Sequence, residues 1–315
     1  MSESLAPIRF EIPGEVERPR ARGRSPANTT VPIDRARPDW LKVRLPTGPT
    51  YERLRQLMRS KELHTVCEEA HCPNMAECWG AGTATFMILG DTCTRSCGFC
   101  AVKTGRPGTV DEDEPARVGE AVARMGLDHA VVTSVNRDEL PDGGARIFAG
   151  TIAEIRRQSP GTTVEMLIPD FLGSADALDV VLDARPEVLS HNVETVARLY
   201  PRVRPQARYE RSLAVLRRIA DHGRGIVCKT GIMLGLGETR EEVVVTMRDI
   251  VAQGTKVLTI GQYLRPSPLH LPIERYWRPE EFAELRDAGM AMGYRHVESG
   301  PLVRSSYHAE RHVGI

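Results

Sequence analysis

The chain has 315 residues, 41% of them hydrophobic and 27% charged, an ordinary globular mix that is long enough to bury a full core and unlike a mostly disordered chain. Lys and Arg together number 42, as do Asp and Glu, so the formal net charge is zero, which argues against nonspecific binding to nucleic acid or to an anionic membrane. Aromatic residues make up only 5%, which gives no support for a base-stacking platform, and no apolar run reaches the roughly 18 residues that span a bilayer.

Residues 1–48 are rich in Pro and Arg, as in ERPRARGRSP, and have no periodic apolar pattern; they read as a mobile N-terminal extension. Its basic piece from Arg18 to Arg24 is either a partner-binding arm or a solvated tail. The opening MSESLAPIRFEIPGE is polar and acidic, without the apolar stretch of a signal peptide, so a reducing, cytoplasmic compartment is expected. Residues 49–82 begin with a predicted helix, Tyr51–Ser60, because Tyr51, Leu54, Leu57 and Met58 share one face. Strand-like and helix-like runs then alternate. The strands are expected at Ala84–Leu89, His129–Val135, Thr163–Ile168, Glu187–Ser190, Gly225–Ile232 and Lys256–Leu264. The helices are expected at Glu114–Met125, Ala145–Gln158, Ala175–Asp183, Arg211–Asp221, Arg240–Ala252 and Pro279–Met292, the last opened by proline. Six strand–helix repeats imply an α/β fold with a parallel sheet and right-handed crossovers, either a (β/α) barrel, whole or partial, or an open doubly wound sheet. In both, loops at the strand C-terminal ends carry the chemistry. No G-x-G-x-x-G follows the first strand, so dinucleotide binding has little support.

Six of the seven cysteines fall between Cys67 and Cys100, in two triplets. Cys67, Cys72 and Cys78 form C-x4-C-x5-C, and Cys93, Cys97 and Cys100 form C-x3-C-x2-C just after the first expected strand. Zinc sites usually take paired ligands to a total of four, whereas three thiolates in a tight loop suit a cubane iron–sulfur cluster with one iron left open. The alternatives are a structural zinc site completed by His64 or His71, or buried free thiols. The seventh, Cys228, lies in an expected strand and reads as a small core residue.

The C-x3-C-x2-C motif in this setting, with Phe99 before its last cysteine, resembles the radical S-adenosylmethionine superfamily. VCEEAHCPNMAECW, ATFMILGDTCTRSCGFCAVKTGRP, LPDGGA, GIMLGLGE and GPLVRSSYHA narrow the resemblance to the lipoyl synthase family, from about Tyr51 to about Ala309. The resemblance implies a partial (β/α)6 TIM-like barrel over 83–298, preceded by an auxiliary-cluster segment at 49–82 and followed by a C-terminal lid at 299–315. It implies that Cys93, Cys97 and Cys100 hold a [4Fe–4S] cluster whose open iron chelates S-adenosylmethionine. Cys67, Cys72 and Cys78 would hold an auxiliary [4Fe–4S] cluster, with a serine of the Arg304–Tyr307 element, Ser306 in preference to Ser305, as fourth ligand. The implied reaction is a sulfurtransferase reaction of protein lipoylation. Sulfur enters at C6 and C8 of an octanoyl group on a lysine of a lipoyl carrier, and the auxiliary cluster is sacrificed as its source. Those C–H bonds have no acidic proton for a base to remove, so the chemistry belongs to cofactors. The implied partners are octanoylated carrier domains, namely the glycine cleavage H protein and E2 subunits of 2-oxoacid dehydrogenases. A low-potential donor such as ferredoxin or flavodoxin supplies electrons. The rival readings are a biotin-synthase-like sulfur-inserting enzyme and a non-catalytic iron–sulfur electron carrier or sensor.

The resemblance also proposes cofactor contacts at Phe99, Thr133, Asn136, Asn192, Glu194, Gly235 and Glu238. Each has a plainer alternative. Gly235 to Glu238 also reads as an ordinary strand-to-helix turn, Asn136 as a polar loop cap where the family more often has Asp, and Asn192 as a helix cap. Arg265 and Ser267 stand where the family usually has Gln and Thr, a departure expected to leave the cluster ligands untouched. Lys103 and Arg106 read as a solvated loop or a carboxylate contact.

Overall fold

A computed structural model describes residues 38–42, 49–69, 72, 74–75 and 85–313. The chain divides into two units, Met1–Pro38 and Asp39–Ile315. Most of the extension expected at 1–48 lies outside the described residues, but within it Asp39–Leu41 form a 3-10 turn with Leu41 buried.

Among the described residues ten strands occur: β1 (His64–Thr65), β2 (Thr85–Ile88), β3 (Thr92–Cys93), β4 (Lys103–Thr104), β5 (His129–Ser134), β6 (Thr163–Leu167), β7 (Val188–Ser190), β8 (Val227–Leu234), β9 (Val257–Gln262) and β10 (His296–Gly300). Eight build one sheet in the order β1-β2-β5-β6-β7-β8-β9-β10, antiparallel at β1-β2 and parallel at every later step. Pairing begins at β1 and ends at β10 without closing, which is a partial barrel. All six expected strands are present. β10 is an addition: its sequence HVESG buries only Val297 fully, too weak an apolar signal to read, and it crosses the boundary expected at residue 298.

The helices are α1 (Pro49–Ser60), α2 (Val66–Glu69), α3 (Glu114–Met125), α4 (Ala145–Gln158), α5 (Ala175–Asp183), α6 (Tyr200–Val203), α7 (Tyr209–His222), α8 (Arg240–Ala252) and α9 (Pro279–Met292). Their ends are set by local chemistry. Pro115 sits in the first turn of α3 and Gly126 ends it in the left-handed region, where a side chain would be strained. Thr239 and Glu242 form a reciprocal capping box at the start of α8. The strands between them are Val-, Ile- and Leu-rich and buried on both faces, as a helix-covered parallel sheet requires.

The core also holds charge. Lys229 of β8 and Glu165 of β6 are 0% and 1% exposed, with Nζ 2.8 and 2.9 Å from the two carboxylate oxygens. His129 Nε2 is 3.7 Å from Glu165 Oε2. His312, nearby, is driven down to about 3 by burial and then by the Lys229 charge, so its ring is neutral.

After β10 the chain turns back along the sheet. Gln262 N donates to Pro301 O at 3.3 Å, and Val303 O presses so closely on Gly261 that a Cβ there would lie 2.1 Å from it. Ala309–His312 form a 3-10 turn, and Val313 packs on Val188, Val227 and Val257, which open β7, β8 and β9. The segment therefore runs from the C-terminal to the N-terminal ends of the strands.

Candidate functional site

A cavity of about 310 Å³ opens at the C-terminal ends of the strands, lined by residues drawn from β2 through β9 and from Val303 to Ser305. Cys93, Cys97 and Cys100 all border it, as do Phe99, Thr133, Asn136, Asn192 and Glu194. Backbone contacts hold the cysteine loop. Cys100 N donates to Cys97 O at 3.2 Å, Gly98 N to Val203 O at 2.9 Å, and Leu271 N to Gly98 O at 2.9 Å. A Cβ at Gly98 would meet the Leu271 side chain at 2.8 Å, so any larger residue there would have to displace Leu271. The Cys93 Sγ accepts from the backbone of Arg95 at 3.4 Å and of Asn136 at 3.3 Å.

His270 Nε2 lies 3.0 Å from Cys100 O and its Nδ1 lies 2.9 Å from Ser267 Oγ. The carbonyl only accepts, so in the neutral ring Nε2 carries the proton and Nδ1 accepts from the serine hydroxyl. Ser267 therefore does reach a cysteine residue through one histidine, although at its backbone and not its thiol. Arg265 turns back on its own loop, donating from Nε to His270 O at 3.0 Å.

Burial pushes the Cys97 thiol up, partly opposed by Arg204, and pushes Cys100 up to about 12. Thiols held so high are poor nucleophiles unaided. Cys93, Cys97 and Cys100 together on one cavity wall fit a shared multiply charged metal partner, which deprotonates its thiols outright.

Arg95, between the first two cysteines, is 2% exposed at its side chain. Its Nε and Nη2 donate to Asp138 at 2.7 and 2.8 Å, and Nη2 also donates to Asp170 at 2.5 Å. Arg211 Nη1 adds a contact to Asp170 at 3.2 Å. Burial raises the Asp170 carboxyl, but the Arg95 hydrogen bond and charge outweigh it and hold the group at about 2. A carboxylate depressed in the fold contributes stability above its unfolded value, near 4, and loses it as pH falls toward 2, here about 2 kcal/mol. Urea unfolding of Asp170→Asn followed from pH 5 to pH 2 should therefore lack the part of the acid loss that the parent shows; an unchanged slope would refute the assignment.

Four buried polar atoms of residues that line this cavity have no hydrogen-bond partner among the described residues: Ser134 Oγ, Asn136 Oδ1, Asn192 Oδ1 and Arg204 Nε. Such atoms call for a polar occupant. Glu194 follows β7 at φ 70°, a left-handed conformation unusual for glutamate, held by Glu194 N to Gly231 O at 2.9 Å and Met233 N to Glu194 O at 2.8 Å. Its carboxylate accepts from Asn192 Nδ2 at 3.1 Å; burial raises its pKa and Arg204 lowers it. Thr133 Oγ1 donates to Leu167 O at 2.9 Å. Amide oxygens and a guanidinium nitrogen left without partners beside a buried carboxyl fit a zwitterionic nucleoside such as S-adenosylmethionine.

Gly235 and Glu238 do not border the cavity. The Glu238 carboxylate accepts from Gly235 N at 2.6 Å, Leu236 N at 2.9 Å and Trp277 Nε1 at 2.9 Å. Its lone pairs serve the loop, which is the strand-to-helix turn of the plainer reading.

Cys67 in α2 is 5% exposed, and Cys72 N donates to Cys67 O at 3.0 Å. Cys78 and His71 lie outside the described residues. Burial raises the Cys72 thiol, opposed by the Asn74 backbone and then by the Arg304 charge. Asn74 Nδ2 donates to Leu302 O at 2.8 Å, so the chain just before Arg304 meets the segment that carries Cys72. Arg304 and Ser305 border the cavity, whereas Ser306 is half-buried and does not. His64 Nδ1 is 3.5 Å from Glu69, and Lys103, in the exposed strand β4 where a loop was expected, pairs with Asp91 at 3.9 Å.

The residues that sequence reasoning missed are Arg95, Asp170, Arg204 and His270. A charged residue inside a tight cysteine motif was a usable signal for Arg95; the others carry none.

Residues 87–250 match the Radical SAM superfamily, and residues 26–72 match the N-terminal domain of lipoyl synthase of the Radical SAM family. The lipoyl synthase of Rubrobacter xylanophilus is 62% identical over 273 residues, covering 87% of this chain and 85% of that protein. The lipoyl synthase of Koribacter versatilis is 58% identical over 273 residues, covering 87% and 90%. Among solved structures, Streptococcus suis SuiB bound to S-adenosylmethionine is similar at a TM-score of 0.51 and 10% identity, over 76% of this chain and 52% of that one, which is a likeness of fold alone. The chain thus belongs to the lipoyl synthase family of the radical S-adenosylmethionine superfamily.

Proposed function

We propose that this chain is a cytoplasmic lipoyl synthase, a sulfurtransferase acting on an octanoyl group that a lysine of a lipoyl carrier domain presents. The observation that carries this reading is the meeting, on one cavity, of three cysteine residues and the unpaired Asn136, Asn192 and Arg204 atoms. Cys93, Cys97 and Cys100 would hold one [4Fe–4S] cluster. Cys67, Cys72, Cys78 and a serine of the Arg304–Tyr307 element would hold the second. When bound, the clusters and S-adenosylmethionine supply the electron and the 5′-deoxyadenosyl radical that break the C6–H and C8–H bonds, and the sulfide that replaces the hydrogens.

The chain's own residues supply position and dryness. Gly98 fixes the cysteine loop between Val203 and Leu271. Asn136, Asn192, Glu194 and Arg204 orient the methionine and ribose parts of the cofactor. Val303 and Arg304 close the cavity toward the first triplet, keeping water from a reactive intermediate. Ser306 remains the ligand favoured by its place beside Tyr307, while the position of Ser305 on the cavity wall supports Ser305; iron analysis of Ser305→Ala and Ser306→Ala separates them. No helix among the described residues is long and apolar enough to cross a membrane. Octanoylated H protein or E2 domains are the expected substrates, and ferredoxin or flavodoxin the expected donor.

Anaerobically reconstituted protein should carry about eight irons per chain, two cubanes. With S-adenosylmethionine and dithionite it should add two sulfurs to an octanoyl-lysine peptide, read by mass spectrometry. About four irons would sink the two-cluster assignment. Release of 5′-deoxyadenosine without gain of sulfur would sink the lipoyl synthase reading in favour of another radical enzyme.

A further inference from the structure

Away from the cysteines lies a second group of ligating side chains. His296 and Glu298 are alternate residues of β10, so they project from one face of the strand. His312 comes from the turn Ala309–His312. One ligating atom from each of the three lies within 4.8 Å of the others. His296 Nε2 is 3.2 Å from Glu298 Oε2, and the His296 and His312 rings are 4.9 Å apart at 51°. None of the three borders the cysteine cavity.

His312 supplies an independent observation. It is 0% exposed, and neither ring nitrogen has a hydrogen-bond partner among the described residues. A buried imidazole ordinarily satisfies its N–H and its lone pair. Packing of the adjacent Val313 on Val188, Val227 and Val257 holds this part of the chain in place, so the ring cannot simply turn out to water. Its neighbour His308 is also unsatisfied at Nδ1, which points toward Glu298 Oε1 from 3.9 Å.

We propose that His296, Glu298 and His312 bind a divalent transition-metal ion, zinc in the first instance, which fastens the C-terminal segment to β10. Two imidazoles and a carboxylate suit zinc, ferrous iron, cobalt or nickel, whereas magnesium and calcium prefer all-oxygen shells. The 3.2 Å between His296 and Glu298 is close to the separation of about 3.3 Å between two ligands of a tetrahedral zinc with bonds of about 2.0–2.1 Å. Water, or His308 after a small shift, completes the shell. His296 and Glu298 are partly exposed and give the ion a path from solvent. The set contains no cysteine, so the ion is chemically distinct from any iron–sulfur cluster on the thiols.

The test uses the cluster-loaded protein, titrated anaerobically with zinc sulfate against a chromophoric chelator. The parent should bind one zinc per chain with its iron content unchanged, and zinc should raise its unfolding temperature. His296→Gln and Glu298→Gln, both at partly exposed positions, should each weaken zinc binding at least about tenfold and remove the thermal shift. His312→Ala should lose zinc altogether. Absence of stoichiometric zinc, uptake only with loss of iron, or equal affinity in the parent and both glutamine variants overturns the proposal.

Discussion

Cys97→Ala should abolish release of 5′-deoxyadenosine, whereas Cys72→Ala should still release it and form no sulfur-bearing product. The two thiols sit in differently built surroundings, which is why the effects should separate. Cys97 borders the cavity with Cys93 and Cys100, in a loop whose shape is set by the backbone of Gly98 and the ion pairs of Arg95. Replacing its half-buried thiol removes none of those contacts, so the variant should fold and lose only a ligand. Cys72 stands instead beside Asn74 and Arg304, in the segment that Leu302 caps. Its loss should leave the electron path to S-adenosylmethionine intact and remove the sulfur source. Chromatography of the nucleoside, mass spectrometry of the peptide and iron content, each about four irons below the parent, form the readout. A Cys72→Ala protein that still inserts sulfur would overturn the division of labour between the triplets.

Lys229→Met should destabilise the protein by about 3–5 kcal/mol, the usual cost of stranding one member of a buried ion pair. For a body of this size that is a fall of roughly 6–15 °C in unfolding temperature. Glu165 is 1% exposed, too little for water to replace the lost ammonium, and His129 Nε2 lies 3.7 Å from its carboxylate. The double variant Lys229→Met/Glu165→Met should recover most of the loss, because desolvated charges of both signs vanish together. A single variant as stable as the parent would mean the pair is not buried as described.

Helix ends were legible wherever a residue with one conformational preference marked them. The helices expected at Glu114–Met125, Ala175–Asp183, Arg240–Ala252 and Pro279–Met292 match the structure, which marks their ends with Pro115 and Gly126, Ser174, Thr239 with Glu242, and Pro279. α7 begins two residues earlier than expected, at Tyr209, because its aromatic ring is buried and bonded to Asp249, a partner 40 residues away. The cysteine motif was legible from spacing and the surrounding segments. The scaffold around it was not: Arg95 meets Asp138 and Asp170 across 43 and 75 residues, and Glu238 meets Trp277 across 39. Such pairings are made when the sheet brings distant loops together, and they leave no periodic trace. Lys229 and Glu165 sat inside correctly placed strands, but nothing local says that two opposite charges will face each other across β7.

The lid has a consequence for biogenesis. The bond from Asn74 to Leu302 spans 228 residues, and Val303 covers Gly261 only when residues past β10 exist. On a ribosome adding roughly 5–20 residues per second, domains form as they emerge. The sheet up to β9 can therefore assemble around the cysteine loop before residues 301–313 arrive to cover it. During that interval the cavity bordered by Cys93, Cys97 and Cys100 lacks the part of its wall that Val303 to Ser305 supply. The order of synthesis thus leaves that wall to be completed last, by a segment that the rest of the sheet does not wait for.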